Sequence, residues 1–113
     1  MAAPRKWTGQ NTLNNDTEVV IKAPRSASSR LYVTKITLTI TTHANNKVVV
    51  VKDTDDVTIA THTDLTAAAG VPSTVTWDFG RGGVPVTAGL NLVAIAGTAT
   101  GVAGVVYAEG YEI

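Results

Sequence analysis

The chain contains no cysteine, which removes both a disulfide framework and a thiolate metal site. Folding must rest on packing and ladder hydrogen bonds, or on association with other chains. Aromatic residues are scarce, with two Trp, three Tyr and one Phe, so each one present carries weight. Net charge is zero, which argues against general electrostatic binding to nucleic acid or an anionic membrane. No stretch approaches the roughly 20 apolar residues a membrane helix needs. Residues 1–7 carry a basic pair with no apolar run after it, so no secretory signal is expected there.

What is present is alternation. The 113 residues amount to one domain, and about two-thirds of the extended chain's surface should be buried on folding. From Arg30 onward, short Thr/Val-rich runs repeat with a period of two. In 30–42, Ile36, Leu38 and Ile40 point one way while Lys35, Thr37, Thr39 and Thr41 point the other, which excludes an amphipathic helix. Further strands are predicted at 17–22, 48–51, 57–61, 73–79, 90–96 and 102–113, with an edge strand at 84–87 limited by Pro85. The valine run 48–51 reads as covered on both faces. Turn chemistry separates the strands at residues 44–46, 53–56, 80–83 and 97–101, while 63–70 reads as a looser connection with room for one helical turn. About eight strands with regular turn signals are the signature of an all-β sandwich or barrel, and an antiparallel β-sandwich is the fold expected. Residues 1–16, rich in coil formers, read as an extended N-terminal arm, and 17–113 as the sandwich domain.

Charge is zero in sum but uneven in order. Up to Lys47 there are seven bases against two acids, and from Val48 onward two against seven. Interleaved strands neutralise such halves internally; the sharper reading is a head-to-tail contact between copies.

Candidate chemistry is sparse. Asp53, Asp55 and Asp56 form the one acidic cluster, but a calcium loop counted from Asp53 meets Thr58 where it needs glycine. A turn whose side chains cap backbone amides accounts for it better, and no cofactor or metal is expected. His43 and His62 lie near strand ends with no evident third ligand and read as exposed polar residues. Gly80-Arg81-Gly82-Gly83 lacks the Gly-Lys-Ser/Thr of a phosphate loop. There is no Gly-x-Ser-x-Gly elbow, and Asp78 with Glu109 is the one carboxylate pair to consider for hydrolysis. An enzyme is not expected. Trp77 and Phe79 read as core. Trp7, in a polar, basic arm, reads either as an anchor for a partner, with Arg5 and Lys6 as steering charges, or as a cover for an open sheet edge. Tyr107 and Tyr111 share one face of the last strand and are the hook for a glycan-stacking alternative.

The runs from Arg30 to Ile40, Lys47 to Asp53, Val84 to Leu92 and Val105 to Tyr111 resemble small jelly-roll virion proteins of tailed bacteriophages, in particular their capsid decoration (cement) proteins. The resemblance implies a structural virion protein, made in the host cytoplasm, that binds the major capsid protein on the outer surface of the head as a homotrimer. It implies no catalytic group, nucleic acid or membrane partner. The alternative is a carbohydrate-binding or tail/adhesion-associated module of the same architecture.

Overall fold

Period-two segments bury one face only when they lie in a sheet, and the computed structural model of the chain pairs them that way. It describes residues 4–13, 17–42, 47–64, 73–96 and 102–113. Among these are nine strands: β1 Arg5–Thr12, β2 Val19–Lys22, β3 Leu31–Thr42, β4 Lys47–Asp53, β5 Thr58–Asp64, β6 Ser73–Asp78, β7 Val84–Pro85, β8 Leu92–Ala96 and β9 Ala103–Glu112. One sheet runs β1-β9-β3, with β6 and β7 sharing the far side of β3. The other runs β2-β8-β4-β5, and every pairing is antiparallel. This is the β-sandwich that the alternation predicted.

The additional strand is β1, and it corrects the expected boundary at residue 16. Arg5 to Thr12 pair with Glu112 to Val105 along β9. Gly9, Gln10 and Asn11 have little intrinsic strand preference, but pairing on a central strand overrides propensity. The far side of β1 turns the corner onto β2. Asn11 Nδ2 donates to the Val20 carbonyl at 2.9 Å, and Gly9 passes so near the Ile21 carbonyl that a Cβ would collide with it. The edge of the first sheet is thereby covered.

The core lies between the sheets. Ile36, Leu38 and Ile40 of β3, and Val106 and Ala108 of β9, face Val49 and Val51 of β4 and Leu92, Ala94 and Ala96 of β8, all buried. Complete burial of one such Leu or Ile contributes about 1.5–3 kcal/mol. Val48 and Val50, expected to be covered as well, are half-buried. Trp77 and Phe79 pack against the core as predicted. The inward positions of β3 change phase between Val33 and Ile36 because the register against β9 shifts between Val33 and Lys35. Thr34 is the extra residue of this bulge. Its carbonyl accepts from the Phe79 amide at 2.8 Å, where β6 has ended and β7 has yet to begin.

His43 and the expected turns at 44–46 and 97–101 lie outside the described residues, as does the connection from 65 onward.

Candidate functional site

Register across β1, β9, β3 and β6 arranges the outward side chains of the first sheet in rows. Lys6 is opposite Tyr111, Tyr111 opposite Tyr32, and Tyr32 opposite Pro85. The next row is Thr8, Glu109, Lys35 and Asp78, followed by Gln10, Tyr107, Thr37 and Thr76. Thr12, Val105, Thr39 and Thr74 complete the face. A threonine-rich face with one charged and one aromatic row results.

The aromatic row is built by the bulge. Tyr32 and Tyr111 stack with ring centroids 4.8 Å apart and planes 7° from parallel, a separation equal to the spacing of neighbouring strands. The Tyr111 hydroxyl donates to the Gly82 carbonyl at 2.7 Å, tying the 80–83 loop to the sheet. Tyr107 and Tyr111 do share a face, but four residues, about 13 Å of strand, separate them, with Glu109 between. One face of the Tyr111 ring is taken by Tyr32, so the two tyrosines proposed for glycan stacking do not form a joint platform. Tyr32 was not legible as the partner because Thr34 breaks the alternation that would place it outward.

Beside Tyr111 an open cleft of about 660 Å³ is lined by Lys6, Lys35, Asp78, Arg81 and Glu109. Asp78 and Glu109, the carboxylates considered for hydrolysis, stand two strands apart with Lys35 in register between them. Alternating charges at this spacing suit pairing with polar groups on a docked surface.

Of the three residues expected to meet a partner, Arg5 and Lys6 are exposed, and Trp7 is not. Trp7 is 6% exposed and belongs to the core. Its Nε1–H donates to the Tyr111 carbonyl at 2.9 Å. The anchoring role is therefore corrected in favour of the other reading of this residue, a cover for the sheet's own edge. Trp7 lies opposite Gly110, whose missing side chain leaves room for the indole.

Two buried carboxylates hold the loops at the end of the sandwich where Arg5 lies. Asp53 is 1% exposed. It accepts from the Thr87 hydroxyl at 2.7 Å and from the amides of Asp55 at 2.9 Å and Val57 at 3.1 Å. Burial opposes its charge, and these bonds, with the Thr87 amide, outweigh it and hold the carboxyl below the ordinary range. The acidic cluster thus caps its own turn, with Asp56 at positive φ and paired with Lys52. Glu112 is 5% exposed and accepts from the Arg25 amide at 2.6 Å and the Ser29 hydroxyl at 2.7 Å. Burial again opposes the charge, and these bonds with nearby Lys22 and Arg25 keep its carboxyl low. The Gly89 amide donates to the Ser29 carbonyl at 2.8 Å, so the two carboxylate-held loops are joined. His62 packs edge-on against Trp77 with centroids 6.4 Å apart.

No protein-family model and no curated protein matches the chain. Among solved structures, it is similar to a protein of the Bacillus endospore appendages, a novel family of disulfide-linked pili. The TM-score is 0.42 at 13% identity, over 97% of this chain and 85% of that one. It is also similar to a chain of the T13 IBDV viral particle. There the TM-score is 0.29 at 9% identity, over 96% of this chain but only 31% of that one. At these scores neither likeness says what this chain does.

Proposed function

We propose that the chain is a structural virion protein of jelly-roll type that decorates a phage head, binding the major capsid protein on the outer surface and stabilising the shell. One observation carries the reading. The runs that resemble decoration proteins cover most of β3 and β9, adjacent central strands of the first sheet, and all of β4 in the second, while the run from Val84 takes in β7 and the loop that reaches Leu92 at the start of β8. The similar residues thus include central strands of both sheets. The strand order supports the jelly-roll assignment: with the two-residue β7 set aside, β1-β9-β3-β6 faces β2-β8-β4-β5, as two interleaved Greek keys arrange eight strands.

A rigid body with a broad polar face suits this role. A protein that binds only the assembled shell stabilises it by mass action, and many copies on a lattice, as trimers, multiply weak contacts. The test is to add purified chain to expanded heads that lack it. Saturable co-sedimentation and a raised disruption temperature of the heads are expected; no binding at micromolar concentration contradicts the reading.

The cleft beside Tyr111 favours a second reading, a carbohydrate-binding or tail-associated module. In that case Tyr111→Ala should abolish glycan binding, with Tyr107→Ala reporting whether a longer glycan crosses the face.

A further inference from the structure

The backbone places three arginines at one end of the sandwich, beside the last two residues of the chain. Arg5 is the register partner of Glu112 on β9. Arg30 exchanges both backbone hydrogen bonds with Ile113, at 2.9 and 3.1 Å. Arg25 gives its amide to the Glu112 carboxylate. All three side chains are exposed, and among the described residues none makes an ion pair. The amide and the hydroxyl both go to Glu112 Oε2, and among the described residues no guanidinium pairs with this carboxylate.

The platform beneath them is rigid. Glu112 holds the loop at 23–30 through Arg25 and Ser29, Ser29 is bonded to Gly89, and Thr87 is fastened to Asp53 at the end of β4. Arg25 and Arg30 are therefore presented on a loop tied to both sheets, and Arg5 at the start of β1, which lowers the ordering cost of binding. Guanidinium groups in such a position suit planar carboxylates.

We infer that this end of the sandwich, with Arg5, Arg25 and Arg30 beside Glu112 and Ile113, is the surface that meets acidic side chains of the shell subunits. The inference rests on the shell-binding reading above and replaces the contact first assigned to Trp7. An acidic protein patch fits better than a nucleic acid. On the adjoining face Lys6, Lys35 and Arg81 are interspersed with Asp78 and Glu109, so no continuous basic track leads from the arginines along the molecule for a polyanion to follow.

The experiment compares the native chain with an Arg5→Gln/Arg25→Gln/Arg30→Gln variant in binding to heads that lack the chain, across a salt series. Thermal melting checks that the variant is folded, and single Arg25→Gln serves as a second, milder variant. The native chain should weaken steeply with salt, and the triple variant should bind roughly tenfold or more weakly, with a flatter dependence. A folded variant that binds with native affinity and slope overturns this inference and leaves the shell reading standing. A native chain that does not bind heads removes both. Tighter binding of the native chain to duplex DNA than to heads, lost in the triple variant, overturns the choice of an acidic protein partner.

Discussion

The indole of Trp7 lies over Gly110 on the neighbouring strand: a Cβ built on Gly110 would stand 3.0 Å from Trp7 Cζ2. Large side chain and bare backbone fit together, and the Nε1–H bond to Tyr111 fixes the ring in place. The most conspicuous residue of the N-terminal segment is thus part of the sandwich's own packing.

Trp7→Ala should therefore act on stability first, costing about 3–5 kcal/mol. Trp7→Phe keeps most of the packing but leaves the Tyr111 carbonyl without its donor, and should cost about 1–2 kcal/mol. Urea titration measures both. A Trp7→Ala chain that melts like the native one would place the indole outside the core.

Gly110→Ala should destabilise the fold by about 2 kcal/mol or more, because the new methyl meets both the Tyr32 carbonyl and the indole. Gly82→Ala is the control. Nothing lies within 4 Å of its Cβ position, so a change within about 0.5 kcal/mol is expected.

Asp53→Asn replaces a carboxylate that accepts from three amides and a hydroxyl with a group whose NH₂ cannot accept. A loss of about 2–3 kcal/mol is expected. Thr87→Val removes one of the bonds and should cost about 1 kcal/mol. The two losses should fall short of additive when combined, since they share one contact.

Acid should destabilise the chain through the same two carboxylates. Asp53 and Glu112 titrate lower in the folded state than in the unfolded chain, where carboxyls titrate near pH ~4. The folded state thus binds fewer protons. Its extra stability is complete above about pH 5 and is lost as pH falls through the folded-state values. Denaturation curves from pH 7 to 3 should show this fall, and it should be smaller in Asp53→Asn and Glu112→Gln.

The sandwich was legible because Ile36, Leu38 and Ile40 alternate with threonine, and no other regular structure buries such a pattern. Less legible was β1. Gly9, Gln10 and Asn11 are poor strand formers, and only pairing with β9, almost a hundred residues away in the chain, makes them a strand. Trp7 signalled that something covered an edge, but composition could not say whether the edge was its own. The candidate site was half visible: Arg5, Lys6 and Tyr111 could be singled out locally. Tyr32, Arg25 and Arg30 join them only through the bulge at Thr34, the Glu112 hydrogen bonds and the Arg30–Ile113 backbone pair, contacts between residues more than 70 positions apart.

The burial of Trp7 also changes what deletion of residues 1–16 measures. Removing β1 should lower the melting temperature, since it strips a paired strand from β9 and uncovers Trp7's place in the core. An unchanged melt would mean that β1 does not pair in solution. Loss of shell binding after this deletion would not by itself locate the contact, which the arginine variant tests with β1 in place.

The most direct test of the central claim is immunogold electron microscopy of particles from the source lysate with antibody against this chain. Gold distributed over the heads is the predicted result. Gold confined to tails, or particles without label, would contradict a role on the capsid surface.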